Sequence, residues 1–221
     1  MYQMLSNIIQ DSTKMQKKKI TLRSVAALCI GIFLAAVGVA FNASAGLGND
    51  PIGMLYDGIR NAANLSQAQL GMASNIVNIT IFVIMLFVGR RYISIGTFLY
   101  FIPYGFFVSI GTGIYSVLVV ADNMMIRVLF SIIGCLLLYL GVAICIVTDI
   151  GVDPCTGIVL VIRDAVKKEY QYVKIVYDIS IIIIGALLGG TLGIITFITA
   201  FVGGPMIQFY CGILKKLIGT E

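Results

Sequence analysis

Six apolar runs, at residues 22–42, 69–88, 94–117, 126–147, 173–188 and 192–214, leave this chain few ways to fold. A bilayer core is crossed by about 20 apolar residues in helical form. Hydrocarbon offers the backbone no hydrogen bonds, so each segment must satisfy its own, which a helix does. The fifth run is the shortest and carries Lys174 and Asp178. Only 11% of residues are charged, against roughly 25% in soluble domains. The expected fold is an all-α membrane protein with six transmembrane helices.

Basic residues set the expected orientation, because Lys and Arg collect on the cytoplasmic side. With the N-terminus inside, all but Arg60 and Arg127 of the 15 basic residues are cytoplasmic, and both termini lie there. Residues 1–19 read as a cytoplasmic basic tail. Met4, Leu5, Ile8 and Ile9 have the spacing of an amphipathic surface helix, with Lys17 to Lys19 at the headgroups. Lys17 to Lys19, the run Val25 to Phe41 and Ala43-Ser44-Ala45 imitate a cleavable secretory signal. The first span has an internal counterpart later in the chain, so it is expected to be retained.

That counterpart appears when the sequence is shifted by 103 positions. Ile30, Gly31 and Leu34 then meet Ile133, Gly134 and Leu137, and Gly38-Val39-Ala40 meets Gly141-Val142-Ala143. Gly48, Asp50 and Pro51 meet Gly151, Asp153 and Pro154, and Ile59-Arg60 meets Ile162-Arg163. After a four-residue slip the match resumes, with Ile95, Thr97, Phe98 and Gly105 meeting Ile194, Thr196, Phe197 and Gly204. Residues 20–118 and 123–215 are thus expected to be two repeats of three crossings. An odd number of crossings turns the second copy upside-down, the arrangement of inverted-repeat transporters. Duplication that merely built a stable bundle would leave the same trace.

Gly-Leu-Gly-Asn-Asp-Pro at 46–51 and Asp-Ile-Gly-Val-Asp-Pro at 149–154 each follow a span. Aspartate accepts from free N–H groups at a helix N-terminus, and proline fits the first helical position. Short helices over about 51–63 and 154–168 are therefore expected, too charged to span. If re-entrant, they would bring partial positive charge to membrane depth, where anionic groups are commonly received. Asp50 and Asp153 would compete for those donors, and an interfacial pair is the alternative.

Lys174 and Asp178 stand four apart and can pair on one helix face. Ionisable residues inside spans point to function. Asn75 is the repeat counterpart of Asp178, and Asn78 lies one turn further on. The expected substrate-binding residues are Asp50, Asn75, Asn78, Asp153, Lys174 and Asp178. The expected helix-breaking or packing residues are Gly48, Pro51, Gly105, Gly151, Pro154, Gly189, Gly190, Gly204 and Pro205. Gly203-Gly204-Pro205 is expected to break or kink the last span.

Histidine is absent, and Cys29, Cys135, Cys145, Cys155 and Cys211 show no metal-ligand spacing. Neither a metal nor another cofactor is expected, and no nucleophile–base pair points to an enzyme.

At Gly48-x-Asp50-Pro51, Gly151-x-Asp153-Pro154, Leu188-Gly189-Gly190-x-x-Gly193, Gly96-Thr97 and Gly204-Pro205 the chain resembles the YczE/YyaS/YitT-like family of bacterial membrane proteins. The resemblance covers about 22–214. It departs where that family tends to carry Arg and Glu, here Lys174 and Asp178, and Gly-Thr, here Ile195-Thr196. It implies a multi-pass protein of the bacterial cytoplasmic (inner) membrane and little about substrate.

The functional expectation is a small inverted-repeat transporter for a small polar solute, anions included. The alternatives are a membrane-embedded binding subunit that needs an energising partner, and a ligand-free scaffold or regulatory protein. The partners expected are the lipid bilayer and an unidentified small-molecule solute, not nucleic acid; a homo-oligomer is compatible.

Overall fold

The computed structural model describes residues 21–93, 95–119, 123–148, 150, 153–168 and 170–218. The expected tail at 1–19 and Gly151 lie outside the described residues. Eight α-helices are present among those described: α1 Leu22–Ala45, α2 Pro51–Ala62, α3 Leu70–Val88, α4 Ile95–Leu118, α5 Met124–Thr148, α6 Pro154–Val166, α7 Tyr170–Leu187 and α8 Ile194–Ile218. Short 3-10 turns, Gln67–Gln69 and Arg90–Tyr92, lead into α3 and α4.

Five segments are long and apolar enough to cross a membrane: Leu22–Ala45, Gln67–Val88, Gly96–Leu118, Met124–Thr148 and Ile194–Lys216. Their outer faces carry exposed large side chains such as Phe87, Leu129 and Phe201. Helices apolar all round suit hydrocarbon, not water. The chain is a helical protein of membrane type. The fifth expected crossing, α7, is not among these segments, and it carries the Lys174–Asp178 pair.

The expected break at Gly203-Gly204-Pro205 does not occur. α8 runs through Pro205 and α4 runs through Pro103. Proline removes one backbone bond, whereas ending the helix would free several carbonyls and N–H groups in an apolar setting.

Helix α1 is the most buried of the five, held between α4 and α5. Tyr115 meets Phe41 and Phe130 edge to face and Phe41 meets Phe130 at a tilt, with centroids 5.3–5.9 Å apart across these three helices. Against α5 the backbones themselves touch. A Cβ built on Gly38 would fall 2.5 Å from the Gly134 carbonyl, and one on Gly141 would fall 2.5 Å from the Gly31 carbonyl. Gly31 meets Cys145 on its other side, and Gly134 meets Asn42. The pairing of 31 with 141 and of 38 with 134 makes the two helices antiparallel. Small residues permit this approach, which maximises dispersion contact where no hydrophobic effect operates. At the far end Arg127 of α5 donates to the carbonyls of Ala45 and Gly46, satisfying groups left free at the C-terminus of α1.

Each short helix leans on a longer helix from the other half of the chain. α2 lies on α7, where a Cβ on Gly58 would come 2.7 Å from the Gly185 carbonyl and one on Gly190 2.5 Å from that of Met54. α6 lies on α3, where Leu160 packs with Met85 and a Cβ on Gly89 would strike Val161.

The α1–α5 seam yields a direct expectation. Gly38→Ala and Gly134→Ala should each cost about 1–3 kcal/mol through overpacking. Gly113→Ala should be near neutral, because a Cβ there meets nothing within 4 Å. Thermal unfolding of the three variants in one detergent separates the cases.

Candidate functional site

The site begins where the chain turns back after α1. Gly46, at φ 66°, closes α1 in the left-handed conformation. Gly48, at φ 104°, lies so close to Gly193 and Thr196 that a Cβ would have no room. Asn49 is buried and pins the reversal. Its side-chain amide donates to the Val39 carbonyl at 3.0 Å, and its backbone N–H donates to Thr196 Oγ1 at 3.2 Å. Val39 stands six residues before Ala45, so Asn49 sits about 9 Å back from the end of α1. From there Asp50 starts α2.

The two Asp-Pro elements have one geometry. Asp50 is the N-cap of α2 at φ −63°, ψ 163°, and its Oδ1 accepts from Gly53 N–H at 3.3 Å. Asp153 is the N-cap of α6 at φ −63°, ψ 155°, and its Oδ1 accepts from Thr156 N–H at 2.9 Å. Pro51 and Pro154 open the helices.

Both caps face one polar interior cluster. Tyr104 and Cys155 each lie within electrostatic reach of Asp50 and Asp153. Lys174 and Asp178, ion-paired on α7, reach Asp50 and Cys155. Tyr177 feels Asp153, Asp178 and Cys155, and the Lys174 ammonium lies 5.9 Å from its ring centroid. Tyr100 and Tyr104 stack at 5.1 Å with an 18° tilt, and Tyr56 meets Tyr104 at 6.0 Å edge to face. Tyr56 donates to Asn78 Oδ1 at 3.1 Å. Asn78 is fully buried, and its Nδ2 has no partner among the described residues. Burial raises the Asp50 carboxyl to about 6; the Lys174 charge and the Gly53 N–H pull it down, and Asp178 pushes it up.

Five of the six expected substrate-binding residues therefore converge: Asp50, Asn78, Asp153, Lys174 and Asp178. The sixth, Asn75, is engaged elsewhere. Its Oδ1 accepts from Gly105 N–H at 3.1 Å, where α3 and α4 touch through Gly71 and Gly105. Gly189, at φ 83°, and Gly190 shape the turn before α8, while Gly204 and Pro205 lie within α8.

Sequence reasoning missed the tyrosines. Tyr100 and Tyr104 stand four apart on one face of α4, a spacing that could have exposed them. It also missed two polar locks at the C-terminal ends of the short helices. At α2, Asp57 is 3% exposed and accepts from Arg60 and from the backbone and hydroxyl of Thr191, while Asn61 donates to the Gly189 carbonyl. At α6, Asp164 accepts from Arg163 and from the Tyr92 hydroxyl. A cleft of about 480 Å³ opens beside this second lock, lined by Val88, Gly89, Arg90, Val161, Asp164 and Ala165.

No solved structure matches the chain. An uncharacterised protein of Haemophilus influenzae is 25% identical over 195 residues, 88% of this chain and 86% of that protein. The uncharacterised protein YyaS of Bacillus subtilis is 21% identical over 188 residues, 85% of this chain and 92% of that protein. These likenesses bear out the YyaS-like resemblance carried by the glycine, aspartate and proline motifs. The model of the family of unknown function DUF6198 matches residues 22–212, which is nearly all of the described chain. The chain is a member of that family.

Proposed function

We propose that this protein is an inverted-repeat transporter of six crossings that moves a small polar solute across the bacterial inner membrane, with both termini cytoplasmic. The observation that carries the reading is the convergence of both Asp-Pro caps, one from each half of the chain, on the Lys174–Asp178 pair and the tyrosines. A scaffold has no need to bring charged groups together in its interior, where they are costly.

The contacts support the inverted relation. The 103-residue shift turns Gly31 into Gly134 and Gly38 into Gly141. Applied to the Gly31–Gly141 contact, it requires a Gly134–Gly38 contact, and that contact is present. Antiparallel α1 and α5 also fit three crossings per repeat, with α2 and α6 entering without crossing. The doubling-back of residues 46–50 along α1 favours a re-entrant α2. α7 is then the sixth crossing, its internal ion pair lowering the cost of its charges.

The two locks supply gates for alternating access. Asn61 and Asp164 are related by the same shift, and each ties a short helix to a turn in the other half. In the proposed orientation the Asp57–Thr191 lock faces outside and the Tyr92–Asp164 lock faces the cytoplasm. Opening one while the other holds exposes the central cluster to one side at a time.

Two outcomes are expected. Asp57→Ala should speed amide hydrogen exchange at residues 188–193 without speeding it at 89–93, and Tyr92→Phe should do the reverse; loosening of both ends together in either variant argues against alternating gates. In proteoliposomes containing the purified protein, a panel of cationic, neutral and anionic metabolites should include at least one that is accumulated or exchanged. Asp153→Asn, which keeps the N-cap, and Asp178→Asn, which removes the carboxylate paired with Lys174, should each lower that flux about tenfold or more while the protein stays folded. A protein that moves nothing in the panel, and whose variants change stability alone, sinks the transport reading.

A further inference from the structure

We infer that the central site takes a small organic cation bearing one hydrogen-bond acceptor, an amino alcohol in its simplest form, and that Lys174 is a tethered competitor for the same place. This rests on the transport reading and names its substrate class.

The sequence left anions open because helix N-termini attract them. The structure removes that attraction. Asp50 takes the Gly53 N–H and Asp153 the Thr156 N–H, so each positive helix end already carries a carboxylate. An arriving anion would meet Asp50, Asp153 and Asp178 against the single ammonium of Lys174.

The walls fit a cation. Tyr56, Tyr100, Tyr104 and Tyr177 each lie within electrostatic reach of at least one of these carboxylates, and tyrosine faces attract ammonium groups through their quadrupole. One ammonium is already there. The Lys174 amine is ion-paired with Asp178 and lies 5.9 Å from the Tyr177 centroid. Its side chain is 36% exposed, so the long apolar stem can carry the charge outward when another cation enters.

Asn78 supplies an independent indication. The residue is fully buried beside Tyr56 and Cys155; its oxygen is used by the Tyr56 hydroxyl, and its Nδ2 donates to none of the described residues. A buried donor without a partner is costly, and a ligand oxygen relieves it. A cation with a nearby hydroxyl or carbonyl oxygen satisfies the carboxylates, the rings and the amide together.

The test is ligand-induced thermal stabilisation of the purified full-length protein with choline, ethanolamine and agmatine. It also includes 3,3-dimethylbutanol (the uncharged counterpart of choline), tetramethylammonium, acetate and phosphate. Binding to the folded state raises apparent stability in a concentration-dependent way. At least one amino alcohol should stabilise, tetramethylammonium should act more weakly, and the uncharged alcohol and the anions should do nothing. Lys174→Gln should tighten binding, by about tenfold if the lysine fills the place nine-tenths of the time. Asp178→Asn, checked for monodispersity, should lose it. Stabilisation by the uncharged alcohol or by an anion, with the cations silent, overturns the cation class and leaves transport of another solute standing. Silence from every class on a folded protein overturns both. Binding unchanged in Lys174→Gln overturns the competitor role.

Discussion

Hydrocarbon gives helices no hydrophobic reason to associate, so in a membrane they are held by contact area and hydrogen bonds. In this protein the contact is backbone on backbone, where α1 crosses α5 through Gly31, Gly38, Gly134 and Gly141. Larger residues there would separate the two halves and loosen what α1 organises. The Arg127 bonds to Ala45 and Gly46 then fix how far α1 extends. From that fixed end the chain reverses through Gly46, Gly48 and Asn49, and the reversal sets where Asp50 can stand.

The remaining polar groups divide by depth and by task. Asp57 and Asp164, each held by an arginine of its own helix, bind the short helices to Thr191 and Tyr92 in the opposite half. Asp50, Asp153, Lys174 and Asp178 lie together among tyrosines. No buried side-chain atom of the locks is without a partner among the described residues. In the inner cluster the buried Asn78 Nδ2 has no partner among the described residues, and Asp50, Asp153 and Asp178 all act on Cys155.

How much of this was legible depended on the range of the interaction. The caps at Asp50 and Asp153 follow from three or four neighbouring residues, and both were read correctly. The Lys174–Asp178 pair follows from helical spacing, and it is present. Of the expected break or kink at Pro205, the break does not occur, because ending the helix would free more backbone in an apolar setting than proline does. Asn75 was expected in the site because of its repeat position, yet it holds Gly105 across a contact between neighbouring helices. The tyrosines were passed over because an aromatic residue in an apolar run looks the same whether it faces lipid or a buried carboxylate.

Sequence alone determined the solvent, the helices and their starts, because hydropathy, capping and proline act over a few residues. It also determined that two halves share a pattern, through the spacing of glycine, aspartate and proline. The tertiary structure decided which glycines touch, which half each short helix leans on and which charges share one interior. Those relations join residues far apart in the chain, 72 positions for Tyr92 and Asp164 and 134 for Asp57 and Thr191, and nothing local encodes them.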